Sequence, residues 1–104
     1  MNSKAKGSAG EREFAAILTA RGFPANRVDQ RYIGGKGRPD VHAAALDGLH
    51  FEVKRVERLN VSEAMQQAIR DAAGRTPVVA HRRNRQPWLI TMRLDDFLNI
   101  VGKE

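Results

Sequence analysis

From Ser8 to about Arg21 apolar residues recur at helical spacing, with Phe14, Ile17 and Leu18 on one face. Gly22 follows where a helix cap is wanted. At roughly 100° per residue, Glu11 falls at the edge of that face, in one row with Phe14, Ala15 and Leu18. Phe23 to Tyr32 reads as an irregular first strand, and residues 33 to 38 as a glycine-rich loop carrying Lys36 and Arg38. Asp40 to Leu46 and Leu49 to Val53 alternate as two strands around Asp47-Gly48, a strong hairpin signal. A second helix, capped by Asn60 or Ser62, runs to about Ala73 with Val61, Met65, Ala68, Ile69 and Ala72 as its apolar stripe. Residues 77 to 81 and 88 to 92 read as strands, and 94 to 101 as a closing helix. The predicted order is α-β-β-β-α-β-β-α, one mixed α/β domain over residues 8 to 104 preceded by a flexible basic arm over residues 1 to 7.

The hairpin register decides which charges meet. A two-residue loop of Asp47 and Gly48 makes Asp40 face Arg55, on the opposite sheet face from Glu52 and Lys54. A three-residue loop, with Gly48 left-handed at a bulge, makes Asp40 face Lys54 and His42 face Glu52. The second register gathers the charges and is the one expected.

Composition narrows the partners. Eighteen Lys and Arg against twelve Asp and Glu give a formal net charge of +6, mostly from arginine, the side chain suited to forked phosphate contacts. A polyanion is the first partner to consider, although basicity speaks of association and not of fold. The absence of cysteine removes disulfides, thiolate nucleophiles and Cys-based zinc sites, so any metal sits on oxygen or imidazole. No apolar run approaches the roughly 20 residues of a membrane span and the start lacks an apolar signal core. A cytoplasmic location is therefore expected.

Hydrolysing a phosphodiester needs a nucleophile made from water and stabilisation of the growing phosphate charge. Asp40 and Glu52 on adjacent strand positions can share Mg²⁺, with the Val53 carbonyl as a third protein ligand. Lys54, on the face of Glu52, can orient or deprotonate the water. The acid-x-Lys triplet alone is weak: five lysines and twelve acids give roughly half a match by chance in a chain this long. A half-exposed strand explains the polar row His50, Glu52, Lys54 about as well. Ser8 to Glu11 also forms a capping box, which would occupy Glu11 without any further role.

Residues 6 to 13 (KGSAGERE), 37 to 40 (GRPD) and 52 to 54 (EVK) together resemble the PD-(D/E)xK nuclease superfamily, most closely its archaeal-type Holliday junction resolvases. The downstream run from Gln67 through residues 77 to 85 and 87 to 89 is similar to their small phage relatives. The likeness extends from Lys6 to Leu98. It implies a restriction-endonuclease-like fold with a central mixed sheet of about five strands, and an endodeoxyribonuclease that uses Mg²⁺, with Mn²⁺ able to substitute. It implies that Glu11 reaches the metal directly or through water, that Asp40 and Glu52 bind it, that Lys54 is the catalytic lysine, and that Gln67, with Gln66 the alternative, lies beside the site. It further implies a homodimer acting on four-way DNA junctions. The chain is shorter beyond its last strand than the archaeal enzymes, which leaves the form of that dimer open.

Lys6, Lys36, Arg38, Arg55, Arg82, Arg83 and Arg85 are the candidate DNA contacts, although glycine-flanked and turn cations are as often simply solvated. His81 is more simply a strand end, and Trp88 beside Pro87 core or interface. Competing readings are a nuclease that nicks duplex, flap or other branched DNA, a non-catalytic DNA-binding module, and a basic RNA-binding protein. The last gives no role to Glu11, Asp40 and Glu52 and lacks aromatic platforms.

Overall fold

A computed structural model describes residues 3–28 and 38–102, with side chains from Gly7 onward in the first stretch. Helix α1 (Ser3–Ala20) leads into strand β1 (Ala25–Arg27), followed by β2 (Val41–Ala43) and a 3₁₀ turn over Ala44–Leu46. Strand β3 (Leu49–Arg55), helix α2 (Val61–Asp71), strands β4 (Thr76–Arg82) and β5 (Leu89–Thr91), and helix α3 (Leu94–Val101) complete the order. The five strands lie in one sheet in chain order, antiparallel except for β3 and β4. Those two run parallel in register from Leu49–Thr76 to Arg55–Arg82, with α2 as the crossover that a parallel pair demands. Among the described residues no helix is long and apolar enough to cross a membrane.

The core follows from alternation along β3. Phe51 and Val53 pack with Phe14 and Ala15 of α1 and with Val41, Val78 and Ala80. The Phe14 and Phe51 rings meet edge to face at 5.2 Å, and Trp88 tilts onto Phe14 at 5.3 Å. A smaller cluster of Ala64, Ala68 and Val79 joins α2 to the sheet. Asn60 caps α2 by accepting from the Glu63 N–H at 3.0 Å. Gly22, at φ 97°, closes α1: the Phe23 N–H bonds back to Leu18 and the Gly22 N–H to Thr19.

Four sequence expectations are corrected. Residues 3 to 7, expected as a loose arm, are the first turns of α1, since no proline interrupts them and a single glycine is tolerated in a helix. This start leaves Ser8 inside the helix, so the expected capping box with Glu11 does not exist. In the hairpin, Val41 pairs with Phe51, which brings Asp40 level with Glu52 and matches neither expected register. Residues 44 to 46 coil into the 3₁₀ turn, so residues 44 to 48 all join the connection. The slip from the expected bulged register is two residues, an even number, so Asp40, Glu52 and Lys54 still share one face. On α2 the buried row is Ala64, Ala68 and Ala72, while Val61 and Ile69 are 37% and 40% exposed. Small side chains let the helix approach the sheet, and its larger residues fall to the flanks. The first strand is Ala25–Arg27 within the expected span, whose last residues, 29 to 32, lie outside the described residues, as does Lys36.

Gly10 is buried where α1 crosses β3, and a Cβ there would lie 2.5 Å from the Cβ of Arg55. Gly10→Ala is expected to destabilise the protein, because overpacking costs about 1–3 kcal/mol against the roughly 1 kcal/mol that alanine gains in a helix. Gly7→Ala meets nothing within 4 Å and should leave stability unchanged or raised. Urea denaturation of both variants measures the difference.

Candidate active site

β3 is buried on both faces but apolar on only one. On the side of α2 it carries His50, Glu52 and Lys54, each two residues from the next. Glu52 is 3% exposed and His50 fully buried. Asp40 enters from the foot of β2, and its Oδ2 accepts the Val53 N–H at 2.9 Å. The carboxylate thus takes the place of a ladder partner just beyond the end of β2. Within a strand a residue's N–H and C=O point to the same edge, so the Val53 carbonyl also faces Asp40. Lys54 Nζ donates to Gln67 Oε1 at 3.0 Å. Of the two candidate glutamines it is therefore Gln67 that joins the group, while Gln66 is exposed.

Asp40, Glu52, Val53, Lys54 and Gln67 line a cleft of about 310 Å³ with Gly7, Glu11, Arg55 and Val56. Glu11 stands at its wall and pairs with Arg27, whose Nε donates at 2.6 Å while Nη2 reaches Ser8 Oγ at 3.0 Å. Glu13 points elsewhere: it receives Arg82 and the Trp88 indole N–H. A neighbouring apolar hollow of about 450 Å³ shares Val56 with the cleft and is rimmed by Arg58, Arg82 and Arg83.

Burial first, and then the Glu52 carboxylate, push Asp40 up to about 7; the Val53 N–H and Lys54 oppose this, and Glu11 adds to it. Such a rise is what a buried acid crowded by a second carboxylate produces when the nearby ammonium only partly offsets it. Mg²⁺ is held through one or two carboxylates, with water completing its shell. Asp40 and Glu52 supply that number, so the donor set fits a hard divalent cation. Among the described residues no three His, Cys, Asp or Glu side chains cluster around one point.

Of the candidate DNA contacts, Arg55 borders the cleft and donates to Asn84 at 2.8 Å. Arg82 is engaged by Glu13 and the Gln86 carbonyl, while Arg83 and Arg85 are exposed at the β4–β5 turn. Arg38 lines a separate hollow of about 250 Å³ with Val28, Pro39, His42 and Arg75. Lys6 lies in α1, its side chain outside the described atoms. His81 bonds Thr91 at 2.9 Å and is held below its usual range by burial. Two residues escaped the sequence reading. Arg27 gave no signal in an irregular strand, whereas His50 stood two positions before Glu52 on the same polar row.

A comparison with solved structures decides the fold. The chain superposes on Hjc of Archaeoglobus fulgidus, a Holliday junction resolvase from an archaeal hyperthermophile, with TM-score 0.62 and 26% identity over 83% of this chain and 76% of that one. This chain has the fold of a Holliday junction resolvase. The restriction-endonuclease-like core is the five-stranded mixed sheet with its flanking helices. The likeness supports a resolvase-like nuclease. No family model and no curated protein matches the sequence.

An acid whose folded pKa lies above its unfolded value stabilises the fold only while protonated. For Asp40 that contribution is complete below its ordinary value of 3.8 and is lost as pH rises to about 7. Without divalent cations, Asp40→Asn should therefore gain on the unsubstituted protein as pH rises. Thermal melts in chelator at about pH 4.5 and about pH 8 read this as a difference in Tm that grows in favour of the variant.

Proposed function

We propose that the chain is a divalent-metal-dependent endodeoxyribonuclease that cuts four-way DNA junctions as a homodimer. The observation that carries this reading is the convergence of Asp40, Glu52, Lys54 and Gln67 in one cleft on a resolvase fold. Asp40, Glu52 and the Val53 carbonyl would hold Mg²⁺, or Mn²⁺ in its place, and Glu11 would reach it directly or through water. When bound, the cation supplies charge neutralisation at the phosphate and a more acidic water. The Val53 N–H fixes the Asp40 carboxylate, and Gln67 holds the Lys54 ammonium at the cleft, where it orients the attacking water and meets the developing phosphate charge. Arg55, Arg83 and Arg85 extend positive charge from the cleft toward the β4–β5 turn, suited to the backbone of a DNA arm.

Paired cuts across a junction need two sites at a fixed separation, and two-fold symmetry provides that. β5 and α3 leave Leu89, Ile90, Leu94, Phe97, Leu98 and Ile100 each 48–68% exposed. Apolar exposure on this scale favours burial against a second copy.

Mg²⁺-dependent cleavage of a synthetic four-way junction should exceed cleavage of linear duplexes of the same sequence. Asp40→Asn and Lys54→Ala should each lower the rate by more than about a hundredfold, equivalent to roughly 3 kcal/mol of lost stabilisation, while junction binding persists. Cleavage of linear DNA at an equal rate would instead identify a general nicking enzyme, and full activity of Asp40→Asn would remove the site assignment. Separately, Phe97→Asp is expected to give monomers by sedimentation and to uncouple the paired cuts. A dimer indifferent to that change would place its interface elsewhere.

A further inference from the structure

His50 is the largest fully buried side chain among the described residues. It stands beneath the cleft on β3, and its Nε2 lies 2.9 Å from Glu52 Oε1. A carboxylate only accepts, so Nε2 is the donor and the imidazole is fixed as its Nε2–H form. Nδ1 meets no hydrogen-bond partner among the described residues, so the contact to Glu52 is the polar engagement of this ring. A buried imidazole with a half-satisfied ring is costly in a core position, where a leucine would pack as well. What it does there is hold one oxygen of Glu52.

We propose that His50 is a positioning residue for Glu52, orienting the carboxylate so that Oε1 is tied inward and the second oxygen is presented to the cleft. The inference rests on the metal-dependent reading of that cleft. Two features of the geometry fit this role. Glu52 sits on the middle of a strand paired in parallel with β4 along its whole length, so its backbone is fixed and its remaining freedom is side-chain rotation. The other buried acid, Asp40, is already oriented by the Val53 N–H. With His50 on Glu52, each of the two carboxylates carries one fixed oxygen, and both are preorganised before any ligand arrives. Partners of this kind commonly set the affinity of a metal site although they never touch the ion.

The test uses the full chain and Mn²⁺ alone, followed by calorimetry in the absence of DNA, so that binding is read apart from cleavage. His50→Phe fills the space without a donor, while the amide nitrogen of His50→Gln reaches the position of Nε2 and restores one. His50→Phe should weaken Mn²⁺ binding by about 10–100-fold, and His50→Gln should recover most of that loss. Should the phenylalanine variant not fold, His50→Met serves as the donor-less form. Unchanged Mn²⁺ affinity in a folded donor-less variant overturns the proposal, as does a glutamine variant no better than that form, since shape alone would then explain the residue. If the unsubstituted protein binds no Mn²⁺, the metal-dependent reading itself falls and this inference with it.

Discussion

Burying a strand on both faces while keeping one of them polar imposes a requirement: every polar group on that face must find a partner, or the fold loses more than it gains. β3 is in that position. The Phe51 and Val53 face satisfies itself by packing with α1. The opposite face is paired except at one atom: His50 bonds Glu52 and Lys54 bonds Gln67, the Val53 amide takes Asp40 at the open edge, and the His50 Nδ1 meets no partner among the described residues. The constraint that stabilises the sheet is therefore the one that arranges the cleft. Its side chains are held by the same bonds that offset part of their desolvation cost, and the cleft costs little further ordering when a ligand enters.

What alternation made legible was the shared face of β3, because alternation is a local property, whereas Glu11 and Gln67 were singled out by resemblance alone. Glu52 and Lys54 had to share a face, and Asp47-Gly48 had to turn the chain back toward Asp40. The register was misread, since Ala44, Ala45 and Leu46, strong helix formers placed between two strands, chose a 3₁₀ turn over strand and shortened β2. That error left the faces intact only because the slip was even. Glu11 shows the opposite case. A capping box was a sound local reading, and it failed because residues 3 to 7 continue the helix, so that Ser8 lies inside α1 and not at its start. The α2 stripe was misplaced for a similar reason: side-chain hydrophobicity favoured Val61 and Ile69, but close approach to β4 favours the alanines.

The arginines divide in a way composition could not reveal. Arg27 and Arg82 are tied to Glu11 and Glu13, two acids on one helix that face different directions, and so fasten α1 to β1 and to the end of β4. Burial works against the ionised Glu13, yet the bonds from Arg82 and Trp88, with the charges of Arg82 and Arg55, hold its carboxyl below the usual range. Some of the arginines are thus internal fastening, their charge cancelled by a partner acid. Those at the β4–β5 turn, Arg83 and Arg85, face solvent.

Helix α3 buries none of its residues in the described chain and spans only Leu94–Val101. A helix of this length is marginal on its own in water, and its cap at Gly102 closes only one end. In an isolated protomer α3 is therefore expected to open and close independently of the sheet, on a much smaller free energy than β3 and β4 require. Amide exchange along α3 then becomes a measure of association: slow exchange there reports a neighbour in place, whatever the stability of the core.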